Sequence, residues 1–174
     1  WLEQREVVPA CRECFCCQLQ LLLARLVLLL LVGFVMTNAA SAQVWATATS
    51  THSTNGRVII FRYLKELGPG FKKSLQPDRI VLVWRYQSDK GMPVLEERQR
   101  MDAMEDALEP LVGKDNLASL ALVSTGENLR EWTYYARSED EFMDRLNQAL
   151  AGKPAFPIEV HTAADPQWDM YETF

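Results

Sequence analysis

Hydrophobic and polar positions change rhythm several times along the 174 residues, and each rhythm predicts an element. Val44 to Thr51 is rich in Thr, Ala and β-branched residues, and Arg57 to Leu64 reads as a second strand. Between them Asn55-Gly56 predicts a two-residue hairpin turn, since both residues tolerate the positive φ of a type I′ turn. Gly68-Pro69-Gly70 then breaks the chain. Ile80 to Tyr86 is apolar at nearly every position, the mark of a strand in the middle of a sheet. From about Val94 to Val112 the period changes: Leu95, Met101, Met104, Leu108 and Leu111 lie on one stripe, with charges between them, so an amphipathic helix stopped by Gly113 is expected.

Leu117 to Thr125 and Leu129 to Arg137 form a second hairpin pattern around Gly126-Glu127-Asn128. Ser138 with Glu141 three residues on is a capping-box start for a second helix, whose stripe is Phe142, Leu146, Ala149 and Leu150 and whose end is set by Gly152 and Pro154. Pro157 to His161 reads as a short edge strand. The order β-β-β-α-β-β-α-β predicts an α+β fold, a largely antiparallel sheet with two helices on one face. From the third strand on, βαββαβ is the order of a ferredoxin-like unit, extended here by the N-terminal hairpin. Neither a repeat nor a linker divides the stretch from 43 to 174, so it is read as a single globular domain.

Before that stretch the pattern is of another kind. Arg25 precedes the apolar run Leu26 to Met36, and Ala40-Ser41-Ala42 supplies a small-residue cleavage motif, so residues 1–42 are read as a signal peptide cut after Ala42. The protein is then exported, periplasmic or extracellular. The alternative is an uncleaved N-terminal helix that anchors the chain to the membrane, although Gln20 and Arg25 interrupt the longer apolar stretch. Residues before about Leu21 make a poor n-region, with Glu3, Glu6 and Glu13 against Arg5 and Arg12. They are read as upstream sequence ahead of a start near Leu21 to Leu23.

Composition sharpens this division. All four cysteines, Cys11, Cys14, Cys16 and Cys17, precede residue 43. The 132 residues that follow therefore have neither disulfides nor thiol chemistry, and are long enough for a self-sufficient core. They also carry the whole net charge of -5, from 15 Lys and Arg against 20 Asp and Glu. Interspersed charge with an acidic excess argues against nucleic acid, whose phosphates need a clustered basic surface.

Candidate chemistry is sparse. Asp165-Pro166-Gln167-Trp168-Asp169-Met170-Tyr171 gathers carboxylates and aromatics, and with His161 nearby one reading is a divalent-cation site on His161, Asp165 and Asp169. The plainer reading is a turn started by Asp-Pro, with Trp168 and Tyr171 pinning the tail to the body. A Ser124, His161, Asp165 set has no strained turn to present its serine. Glu105 and Glu109, four apart on the first helix, read as a solvated face.

Strict alternation divides the sheet residues. Ile59, Phe61, Tyr63, Ile80, Leu82, Trp84, Leu120, Leu122, Trp132 and Tyr134 fall on the helix side, and Val58, Ile60, Arg62, Val81, Val83, Arg85, Glu131, Thr133 and Tyr135 on the open side. An open face bearing Arg62, Arg85 and Tyr135 suits a partner protein or a small ligand; the equal alternative is a side that is merely half-solvated, or covered by the N-terminal hairpin, a tail or a second copy of the chain.

Several features stand in a recurring order: Asn55-Gly56, Gly91-Met92-Pro93 before a Glu-rich helix, Met104-Glu105-Asp106-Ala107-Leu108-Glu109 within it, Thr125-Gly126 leading to Tyr134-Tyr135, and the closing Asp165 to Tyr171 segment. The chain from Val44 to Phe174 resembles the bacterial domain-of-unknown-function family 695. That resemblance implies a compact α+β domain and brings no activity, cofactor or catalytic residue. The expectation is an exported, non-catalytic binding domain using the open sheet face, with no cofactor. The alternative is a metal-assisted hydrolase at the C-terminal Asp-Pro-x-Trp-Asp segment.

Overall fold

The computed structural model describes residues 43–174. The signal segment, its cleavage after Ala42 and the cysteine cluster lie outside the described residues. β1 (Val44–Thr51) and β2 (Val58–Glu66) form the first hairpin, but its tip is longer than a two-residue turn. His52 and Arg57 close it through backbone hydrogen bonding, and only Gly56 takes positive φ, at 70°. Asn55 is instead used through its side chain, whose Oδ1 accepts from the Arg57 amide at 2.9 Å.

The two-residue type I′ geometry occurs in the second hairpin. β4 (Ala118–Gly126) and β5 (Leu129–Ala136) are joined by Glu127 and Asn128, with φ of 51° and 64°. Asn128 is suited to that conformation and Glu127 is held there from outside. Asn55 Nδ2 donates to its carboxylate at 3.0 Å, and the Asn128 amide donates to the Gly91 carbonyl at 3.0 Å.

β3 (Asp78–Arg85) precedes α1 (Leu95–Val112), and β5 precedes α2 (Glu139–Leu150), which leads to β6 (Ile158–Ala164). The sheet is six-stranded and antiparallel throughout, in the order β1-β2-β4-β5-β3-β6. The α+β class and the helices on one face agree with the sequence pattern, and the N-terminal hairpin is added beyond β4. Ser138 caps α2 by accepting from the Glu141 amide at 3.3 Å. The other half of the capping box is not made, because the Glu141 carboxylate takes Arg137 at 2.7 Å instead.

The main core lies between the two helices and β3, β4 and β5. Trp84, Trp132, Met101, Met104, Leu108 and Phe142 are fully buried there, each contributing about 1.5–3 kcal/mol by leaving water. A smaller cluster lies on the other side of the sheet, where Trp168 stacks on Tyr135 with centroids 4.0 Å apart. Among the described residues no helix is long and apolar enough to cross a membrane.

A bulge in β4 changes which residues share a side. Leu120 pairs with Tyr134 and Leu122 with Thr133, so Ala121 is an extra residue and the alternation restarts after it. Val123, not Leu122, therefore joins the helix-side core. β2 follows, because paired residues point the same way: Arg62 opposes Val123, and Tyr63 opposes Leu122. Arg62, Ile60 and Val58 are on the helix side, and Phe61 and Tyr63 are on the other, the reverse of strict alternation.

Candidate functional site

Two helices do not cover six strands. α1 and α2 pack over β3, β4 and β5, which leaves the helix side of β2 and β1 without a roof. Ile60 and Val58 are exposed there, and a groove runs between α1 and the β1–β2 ribbon. It holds two hollows, of about 380 Å³ and 360 Å³, with Arg62 lining both.

One flank of α1 supplies the polar wall. Arg98, Asp102, Glu105 and Glu109 follow one another at four, three and four residues, which aligns them along the helix beside the buried Met101-Met104-Leu108 stripe. Glu105 is thus no solvated surface residue. Its Oε2 accepts from Trp132 Nε1 at 2.7 Å and from Arg130 Nη2 at 3.1 Å, and its Oε1 accepts from Arg62. Arg130 reaches Asp102 with Nη1 at 2.9 Å and lies 4.9 Å above the Trp132 ring. Arg62 lies 5.2 Å from the Trp45 ring centroid on β1.

The four charges balance, and they differ in access. The side chains of Arg130 and Glu105 are 11% and 15% exposed, against 43% for Arg62. Arg130 and Glu105 form a fixed base, each with partners that do not involve Arg62. Arg62 is the member that a ligand can engage. Tyr134 is buried and lines the larger hollow, and no hydrogen bond among the described residues uses its hydroxyl. Burial, reinforced by the Glu105 charge, raises its pKa, so the hydroxyl stays protonated and able to donate.

The residues singled out from the sequence do not assemble as one surface. Arg62 belongs to this groove and not to the opposite side of the sheet. Tyr135 is on that opposite side but fully buried beneath Trp168, with its hydroxyl donating to Asp165 Oδ2 at 2.8 Å. Arg85 is exposed and pairs with Glu159 at 3.0 Å. His161 is exposed on β6, 3.5 Å from Glu159.

Asp165 is buried and its oxygens are occupied. Oδ1 accepts from the Asp169 amide at 2.7 Å, and Oδ2 accepts from Tyr135 and from the Met170 amide at 3.3 Å. Asp169 is exposed. Among the described residues no group of three His, Cys, Asp or Glu side chains could hold a metal ion. Ser124 on β4 and His161 on β6 are separated by β5 and β3, about 14 Å at the usual strand spacing, so no triad forms.

Sequence reasoning missed Arg98, Asp102, Glu105, Arg130, Trp45 and Trp132 as a set. The helical spacing of the first three was the available signal. The other three come from strands far away in the chain, and only the fold brings them alongside.

The sequence model of a family of unknown function, DUF695, matches residues 43–174. No curated protein and no solved structure matches the chain.

Proposed function

Because the chain belongs to that family of unknown function, which supplies no activity to carry over, we propose from the geometry alone that the domain is a non-catalytic ligand-binding module using the α1/β2 groove. The observation that carries this reading is Arg62, a half-exposed cation shared by two adjoining hollows and backed by an ordered Glu105–Arg130–Trp132 cluster. Hollows of this size suit small molecules, and pre-ordered polar groups reduce the entropy lost on binding. The carboxylates of the cluster face guanidinium and indole donors, an arrangement that positions charge and activates no nucleophile. The apolar run Leu26 to Met36 and the Ala40-Ser41-Ala42 motif support an exported setting, which N-terminal sequencing of protein recovered outside the cytoplasm would check.

Titrating a mixed fragment set into isotope-labelled protein tests the site. Amide shifts gathered at Arg62, Glu105, Ser119 and Tyr134, and weakened by Arg62→Gln, are expected. Shifts gathered instead at Val81, Thr133 and Met170, on the opposite side, would overturn the assignment.

A further inference from the structure

Resting on that reading, we propose that the end of the groove nearest the start of α1 receives a carboxylate carried on a short apolar chain. The smaller hollow is lined by three arginines, Arg62, Arg98 and Arg130, and by one acid, Asp102. Arg62 and Arg130 are balanced by Asp102 and Glu105, so Arg98 is the cation in excess at this end, in a chain whose net charge is -5. That excess repels cations and draws anions into a partly desolvated site, where charge is weakly screened.

The three arginines differ in what holds them. Arg98 makes no ion pair among the described residues, so its guanidinium needs no existing partner to be displaced. Arg130 is only 9% exposed, and its Nε is buried without a hydrogen-bond partner among the described residues. Arg62 shares Glu105 with Arg130 and Trp132, so Glu105 stays paired when Arg62 turns toward a ligand. A guanidinium fork matches the two oxygens of a carboxylate, and Arg98 and Arg62 are the two whose forks a ligand can reach, with Arg130 held behind them by Asp102 and Glu105.

The remainder of the lining decides against a bare inorganic anion. Ile60, Met92, Pro93 and Val123 present an apolar surface beside the arginines, and Ile60 is 37% exposed. A short hydrocarbon chain covers these side chains while its carboxylate meets the guanidinium groups.

Four probes test this by amide chemical shifts: hexanoate, hexan-1-ol, hexylammonium and inorganic phosphate. Hexanoate is expected to give saturable shifts at Met92, Val123, Thr125 and Arg130 that weaken as salt is raised, with the other three at least about tenfold weaker. Arg98→Gln is expected to weaken hexanoate by roughly tenfold without lowering the melting temperature, and Arg98→Lys to restore part of the loss. Hexanol binding as well as hexanoate, or phosphate binding as well as hexanoate, would overturn the proposed class. If hexanoate left this end unchanged while neutral fragments still shifted Ser119 and Tyr134, the carboxylate site would fall and the groove would stand. Hexanoate and neutral fragments both shifting only β6 and the C-terminal tail would remove both.

Discussion

Each side of the sheet departs in part from the role that the chain pattern suggests. The side expected to be open is partly closed by the C-terminal tail: Trp168 stacks on Tyr135, Tyr171 bonds the Leu64 carbonyl, and Phe174 packs 4.8 Å from Phe61. What stays uncovered there is a trough of about 290 Å³ next to Met170. The side expected to be sealed by helices is open over β1 and β2, where the groove lies. A sheet wider than its helix layer leaves its surplus strands bare, and a tail of ten residues after β6 is long enough to shield the other side in part. Openness follows from the ratio of strands to covering elements, and alternation alone does not report it.

The contrast is broken most strongly at the tail. Trp168→Ala removes a fully buried indole that also donates to the Gln76 carbonyl at 2.9 Å, and is expected to cost about 3–5 kcal/mol in urea denaturation. A loss below about 1 kcal/mol would mean that the tail merely rests on the sheet. On the groove side, Glu105→Ala leaves the mostly buried Arg130 with Asp102 as its remaining acid. A loss of about 2–3 kcal/mol is expected, since a charge with one partner removed is costlier than an intact pair. Arg62→Gln in the same network is expected to cost less than about 1 kcal/mol because that side chain is half in water. Similar losses for the two variants would contradict the division into a fixed base and a movable cation.

Smaller effects distinguish the tail's polar anchor. Burial works to raise the Asp165 pKa, but the Tyr135 hydroxyl, the Asp169 and Met170 amides and Arg79 outweigh it and hold the carboxyl below its usual range. A group depressed in the folded state stabilises fully above its unfolded value of about 3.9 and loses that contribution as pH falls through the lower folded value. Acid below about pH 4 is therefore expected to loosen the tail, seen as a change in tryptophan fluorescence, and Asp165→Asn should flatten that dependence. Tyr135→Phe should cost about 1 kcal/mol, the net value of one hydrogen bond. The smallest effect is expected at Arg85→Glu. Its ion pair with Glu159 is exposed on both partners and screened by water, so the melting midpoint should stay essentially where it is.

Much of the fold was legible because it is written in local periods. The Met101-Met104-Leu108 stripe and the Ser138 cap each depend on residues a few positions apart, and the Asp165-Pro166 turn with its nearby aromatics marked the tail anchor even though its partners Tyr135, Gln76 and Leu64 are distant in the chain. The candidate site was not legible for the opposite reason. Arg62, Glu105 and Arg130 come from β2, α1 and β5, and Arg62 was placed on the wrong side by one extra residue, Ala121, in a different strand. Nothing in the run Leu120-Ala121-Leu122-Val123 marks a bulge, since all four residues are apolar. The turn chemistry misled similarly: Asn55-Gly56 has the stronger type I′ signature, yet Glu127-Asn128 takes that geometry. Contacts from Asn55 and the Gly91 loop hold it there.

By itself the sequence determined the α+β class, the element order, the cysteine-free domain and the acidic balance, because composition and short-range spacing suffice for these. Tertiary structure alone decided which side of β2, and of β4 beyond Ala121, faces the helices, that Glu105 is a buried hub, and that three arginines share one hollow with a single acid. Those outcomes depend on register between strands distant in the chain, and one unpaired residue in β4 shifts that register for every strand beyond it.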